Sequence, residues 1–252
     1  MTKLFKYLDA DGAFKMLKNR TLQFTNATQL NDPFDCHPSL IEFSKVPKEK
    51  TQIWSAKDIE LLESNRYCRN RENAWLCSLS KVYDSLLMWS YYTKHQGVCI
   101  GLDMEKTRPY LAQMHGKILI GCIEWEVQYK DVLDKPDYFS DNEDFFHYQM
   151  TTKAKDWEHE QEVRLISLDP SWTFMRLSPD QEESNDMIDI KEVRAFLNIG
   201  GECFESVYLG INMDARQKEE ITKVARMCNP DIKVFQMEVD PEAFKLKEEL
   251  IS

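Results

Sequence analysis

The segment Met88-Trp89-Ser90-Tyr91-Tyr92-Thr93-Lys94-His95-Gln96-Gly97-Val98-Cys99-Ile100-Gly101-Leu102-Asp103 constrains the fold more than any other. Helical spacing predicts that Leu87, Met88, Tyr91, Tyr92 and His95 share one face. Asp84 or Ser85 is placed to cap that helix, and Gly97 stands where a left-handed terminator belongs. Residues 98–102 then read as an apolar strand, so an aromatic helix must fold back onto a sheet. Aromatic stripes at this spacing usually pack in a core. Here Ser90, Thr93 and His95 add polar handles. A pocket wall carrying Trp89, Tyr92 and His95 is the functional reading.

Strand and helix signals alternate along the chain. Strands are expected at 4–8, 21–25, 75–80, 117–129 (one or two), 160–167, 193–197, 206–209 and, last, 233–239. Helices are expected at 11–18, 104–114 and 143–155. Another is opened by Asp214 with Gln217 as a capping box and closed by Asn229-Pro230. Asn31-Asp32-Pro33-Phe34-Asp35 is a turn, because proline fixes φ and Asn and Asp bond nearby backbone. Residues 42–73 form a polar excursion with one or two helices, and 169–190 an irregular loop. No repeat and no Gly/Ser/Pro-rich linker divides the 252 residues. The expected architecture is therefore one α+β (mixed α/β) domain over 1–252. Its sheet is mixed, largely antiparallel and open to a split, with flanking helices.

The net charge of −11 argues against broad nucleic-acid or anionic-membrane binding. The one basic cluster is Arg66, Arg69 and Arg71, read as a solvated helix end or loop. No apolar run approaches the roughly 20 residues of a membrane helix. The first residues lack the apolar core of a signal peptide. Seven scattered cysteines without a CxxC pair make structural zinc unexpected, and free thiols point to the cytoplasm. A small molecule or nucleotide is the expected partner, and no protein partner is indicated.

The second polar run is Lys155-Asp156-Trp157-Glu158-His159-Glu160-Gln161-Glu162-Val163-Arg164. In an extended chain Glu158, Glu160, Glu162 and Arg164 share one face, while Val163 and Leu165 face the core. Stacked glutamates repel unless a cation compensates, which Arg164 can do for Glu162 and Lys153 or Lys155 for Glu160. The plain reading is a salt-bridged strand face. The functional one is a carboxylate pair in a cleft, acting as general base or stabilising a cationic transition state. Asn31 and Asp32 either stiffen their turn or present polar groups to a ligand. No GxGxxG, P-loop, GxSxG or HExxH motif is present.

These landmarks resemble a family of bacterial and phage proteins of unknown function. Its members carry a Lys-Tyr strand (Lys6, Tyr7), an F-N-D-P-F-E-like turn (30–35) and a strand ending in Ser (77–80). An M-W-S-H-Y-A…H-x-G-[VI]-C block (88–103), a K-x-x-x-W-x-x-E-x-E-x-R run (153–164) and a V-Y-L-G strand (207–210) follow. Asp35 stands for the usual Glu, and Tyr91-Tyr92 for His-Tyr. A second resemblance, to ADP-ribosyltransferases, concerns mechanism. Lys6 or Tyr7, then Ser78 or Ser80, then Glu160-x-Glu162 follow the order of sheet positions with which those enzymes bind NAD.

That resemblance implies an NAD-utilising enzyme. Glu162 would lie nearest the ribose, Glu160 would orient an acceptor, and Tyr7, Trp89 or Tyr92 would stack on a ring. No cofactor is fixed by the sequence, and NAD is the substrate implied. Two alternatives stand beside it. One is a metal-dependent phosphoesterase or nuclease using Asp32, Asp35, Glu160 and Glu162. The other is a non-catalytic binding module of a defence or stress system, with Arg164 bonded to Asp32 and His95 to a strand backbone as structural glue.

Overall fold

The computed structural model describes residues 3–46, 54–62, 67–115, 118–141, 144–168 and 194–251. In chain order its elements are β1 (Lys3–Leu8), α1 (Ala10–Asn19), β2 (Thr21–Asn26), α2 (Ala56–Leu62), α3 (Cys68–Asn73), β3 (Trp75–Ser80), α4 (Leu86–Thr93), β4 (Val98–Asp103) and α5 (Met104–Leu111). Then come β5 (Ala112–His115), β6 (Ile118–Gly121), β7 (Ile123–Glu126), β8 (Gln128–Lys130), α6 (Phe145–Thr151), β9 (Thr152–Ala154) and β10 (Glu162–Ser167). The chain closes with β11 (Arg194–Asn198), β12 (Phe204–Leu209), α7 (Ala215–Cys228), β13 (Lys233–Val239) and β14 (Leu246–Leu250).

One mixed sheet organises a single α+β domain. Its order is β11-β2-β3-β1-β4-β12-β13-β14, with β10 on β3 and β7 on β10. Every pair in it is antiparallel except β12–β13, which α7 connects. Two short ladders, β5–β6 and β8–β9, lie apart.

Strand β3 is the branch point. Along one edge β10 pairs with all of it, from Glu162 opposite Ser80 to Ser167 opposite Trp75. The other edge is shared. β2 pairs only with Trp75 and Leu76, and β1 only with Ser80. Between these points β1 and β2 diverge and the sheet splits. The backbone carbonyl of Ser78, left without a strand partner there, accepts a hydrogen bond from Lys6 Nζ at 2.7 Å.

Alternation gives the sheet two faces. On the back, Leu4, Trp75, Cys77, Leu79, Ile100, Val163 and Leu165 join Ala13 and Leu17 of α1 and Ile221 and Val224 of α7 in the main core. α1 starts at Asp9, whose side chain accepts from the Gly12 N–H, and ends at Arg20 with φ 53°. The Asp214 side chain accepts from Gln217 N–H at 3.0 Å, as the capping signal predicts. On the front, Phe5, Tyr7, Cys99 and Tyr208 pack under Met88 and Trp89 of α4. The same face carries Ser78, Ser80, Glu162 and Arg164.

Several boundaries differ from the sequence expectation. α4 buries Met88, Trp89 and Thr93 and leaves Leu87 and Tyr91 exposed, because Trp89 turns in to meet Tyr7 and donates to the Tyr83 carbonyl. The left-handed residues are Lys94 (φ 52°) and His95 (φ 58°), so His95 lies beyond the helix. Gly97 serves close approach instead. A Cβ there would stand 2.2 Å from the Leu8 carbonyl oxygen.

The helix expected at 143–155 ends at Thr151, where β9 pairs with β8. A 3-10 turn, Lys155–Glu160, then leads to Gln161 at φ 44°. Glu160 therefore precedes the strand. The helix at 104 ends at Leu111 and gives way to β5. A further strand, β14, follows β13, its exposed, charged residues suiting a sheet edge. The loop at 169–190, Arg66 and Val193 lie outside the described residues. Within 42–73 the described helices are α2 and α3, and Arg69 and Arg71 belong to α3. No helix among the described residues is long and apolar enough to cross a membrane.

Candidate functional site

The split in the sheet floors a cavity of about 290 Å³ on the front face. β1 contributes Phe5, Lys6 and Tyr7, and β3 contributes Ser78 and Ser80. α4 adds Met88 and Tyr92, the turn after β2 adds Asn31 and Asp35, and Lys153, Glu160 and Glu162 close the far wall. A second cavity, about 430 Å³, opens on the back between β1, α1 and β2. Lys6, Tyr7 and Tyr92 border both, so the split is open to both faces.

Behind the front cavity lies a buried ionic network. Arg164, with no exposed surface, donates from Nε to Glu162 Oε1 at 2.9 Å and from Nη2 to Asp35 Oδ1 at 2.7 Å. Its Nη1 satisfies the Met150 carbonyl at 2.7 Å. Lys153 donates to Glu160 Oε2 and, at 3.2 Å, to Glu162 Oε2, and its amine stands 4.9 Å from the centre of the Trp157 ring. Tyr92 donates its hydroxyl to the other oxygen of Glu160. All five charged residues are buried, and three carboxylates face two cations.

Burial alone would raise the Glu162 carboxyl. The Arg164 and Lys153 charges, with hydrogen bonds from Arg164 and the Ser78 side chain, outweigh it and hold Glu162 well below the usual carboxylate range. Asp35 goes the other way. Burial pushes its carboxyl up, aided by the Glu162 charge and only partly offset by Arg164. For Lys153, burial works against the charge but Glu162, Asp35 and Glu160 win, so its amine is held charged. Burial and the bond to Glu160 push the Tyr92 phenol up, so it stays a donor. Burial also raises the Cys36 thiol to about 12, and its sulfur sits 3.4 Å from Arg164 Nη1 as an unreactive neighbour.

The expected site residues therefore divide. Lys6, Tyr7, Asn31, Ser78, Ser80, Tyr92, Glu160 and Glu162 converge on the front cavity. Arg164 stands directly behind Glu162. Ser80 is buried, its hydroxyl committed to the Glu160 carbonyl at 2.7 Å. Trp89, Asp32 and His95 are absent from the lining. Trp89 has no exposed surface, and Asp32 turns its Oδ1 to the Phe34 N–H at 2.9 Å, so the expected Arg164–Asp32 pair gives way to Arg164–Asp35. The backbone of His95 bonds Trp89 and Asn212, on the far side of α4's end.

From sequence, Lys153 is expected only as one of two cations beside Glu160, and Asp35 only as a metal ligand. The structure makes Lys153 the partner of both glutamates and gives Asp35 to Arg164. That last pairing spans 129 positions and has no local signal.

A metal reading needs the oxygens of Asp32, Asp35, Glu160 and Glu162 together. Asp32 points elsewhere, and Arg164 and Lys153 already take the oxygens of the other three. Among the described residues no group of three or more His, Cys, Asp or Glu side chains is placed to hold a metal ion.

Residues 88–165 match a family described as protein of unknown function (DUF2971). The matched stretch holds α4, β4, Lys153, both glutamates and Arg164. No curated protein and no solved structure matches the chain.

Proposed function

We propose that the front cavity binds the ring-and-sugar end of a nicotinamide dinucleotide and transfers its ribosyl group. The observation that carries this reading is Glu162. It is a carboxylate held ionised on a cavity floor, beside the Ser78 hydroxyl and beneath the apolar walls Phe5, Tyr7 and Met88. Fixed negative charge on the cavity floor favours a transition state that develops positive charge, as ribosyl transfer does. A cavity near 290 Å³ suits one ring and sugar rather than a whole dinucleotide, leaving the remainder at the exposed rim by Gln29 and Asn31.

In the reaction the bond between the sugar's anomeric carbon and the ring nitrogen breaks, and its electron pair leaves with nicotinamide. An acceptor hydroxyl or water then attacks the same carbon. Glu160, positioned by Lys153 and Tyr92, orients that acceptor and takes its proton. The test is nicotinamide release from NAD, with a thermal shift for binding. Release by the wild type and its loss in Glu162→Gln are expected. No binding at millimolar NAD and no release would sink the reading.

One observation favours a second, non-catalytic reading. Arg164 ties Asp35 of the turn to Glu162 of β10 with all three side chains buried, which is how a purely structural network is built. In that case Glu162→Gln lowers the melting temperature sharply and the cavity turns over nothing.

A further inference from the structure

β9 separates two cavities. Lys153 sends its amine to Glu160 at the front cavity, and with Thr152 and Ala154 it also borders a third cavity of about 170 Å³. The rim of that cavity gathers Phe34, Val132 and Leu133, which are 56%, 74% and 45% exposed. Large apolar side chains clustered on a surface around a hollow are a feature of ligand-binding grooves.

Two further features define what fits. The hydroxyl of Thr152 is buried and has no hydrogen-bond partner, although the residue is only 4% exposed. An unmet buried hydroxyl costs free energy, and a ligand can satisfy it. Thr152 lines the cavity, and rotation about χ1 carries its hydroxyl to another staggered position without backbone movement. The charges at the rim are already neutralised. Lys130 pairs with Asp134 at 2.8 Å, and Lys155 with Asp131 at 2.9 Å. A charged ligand finds no free counter-charge there.

We infer that this cavity is a separate binding site for a neutral, single-ring aromatic small molecule bearing one hydrogen-bonding substituent. Its volume is close to that of apolar cavities of about 150 Å³ that take up benzene. Phe34 and Leu133 cover the ring, and Thr152 bonds the substituent. Lys153 borders both cavities, but binding here requires no reaction at Glu162.

Phenol and toluene, titrated onto the full chain and followed by ligand-observed NMR, test the assignment. Thr152→Val keeps the side chain's shape and removes the hydroxyl. It should weaken phenol about fivefold, the value of one neutral hydrogen bond, and leave toluene unchanged. Leu133→Arg, at an exposed position, should abolish both. Three results would each overturn the inference: no phenol binding by the wild type, equal phenol binding by Thr152→Val, or unaltered binding by Leu133→Arg. A circular dichroism spectrum matching the wild type's shows that each variant is folded.

Discussion

Arg164 Nη2 lies 2.7 Å from Asp35 Oδ1, across 129 positions of sequence and with both side chains buried. The contact fastens the turn at 31–35 to the central strand β10 and so sets one wall of the cavity. Removing Asp35 leaves the guanidinium paired with Glu162 but costs it one charged hydrogen bond. Asp35→Ala should therefore cost about 1–3 kcal/mol. Urea denaturation reads this as a lower midpoint at unchanged slope, and a loss under about 1 kcal/mol would mean that Glu162 alone holds the guanidinium.

Lys6 does for Ser78 what a neighbouring strand would otherwise do. Its amine meets the carbonyl in the split at 2.7 Å. Lys6→Met keeps the length of the side chain and removes the donor. The expected loss is about 1–2 kcal/mol, the cost of an unmet carbonyl in a partly buried setting. Hydrogen exchange should quicken at the β1 and β3 amides flanking the split and stay unchanged at β12 and β13. Uniform quickening would show instead that Lys6 supports the whole sheet.

Much of the fold is legible from short-range signals. Val163 and Leu165 face the core by alternation alone, and the Asp214–Gln217 cap acts within one turn. The candidate site is less so. Glu160 and Glu162 do meet, but not as neighbours on one strand face. Gln161 at φ 44° breaks the extended chain, and Lys153 brings the carboxylates together. β9 was hidden because Thr152-Lys153-Ala154 continues a helical run, and only pairing with β8 makes it a strand. Gly97 looked like a helix terminator because glycine serves both left-handed turns and close approaches. The Leu8 carbonyl that decides between them is remote in sequence.

The network also fixes the pH response of stability. Glu162 has a carboxyl held below its ordinary 4.5, so its contribution is complete above that value and falls away as pH drops toward the folded pKa. Lys153 has an amine held above its ordinary 10.5, so its contribution is complete below that value and is lost as pH rises through the folded pKa. Asp35 has the opposite sign to Glu162. Its carboxyl is raised above 3.8, so protonating it on the way down relieves a cost of burial and blunts the acid loss. Urea midpoints from pH 3 to 11 should show a plateau between about pH 5 and 10 with a fall on each side. Glu162→Gln should flatten the acid limb; an unaltered limb would assign the loss to other carboxylates.

Tyr92 separates function from folding more cleanly than the buried charges do. It is 37% exposed and borders the open cavity, so in Tyr92→Phe water from the cavity can replace the phenol at the buried Glu160 oxygen. The other oxygen stays with Lys153. Stability should change by less than about 1 kcal/mol. Nicotinamide release should nonetheless fall by about tenfold, as expected when one hydrogen bond that aims a general base is lost. The fall should lie in kcat and leave KM for NAD near the wild-type value, because the phenol orients Glu160 toward the acceptor and not the ring. A rise in KM with kcat unchanged would make Tyr92 a ring-binding residue instead.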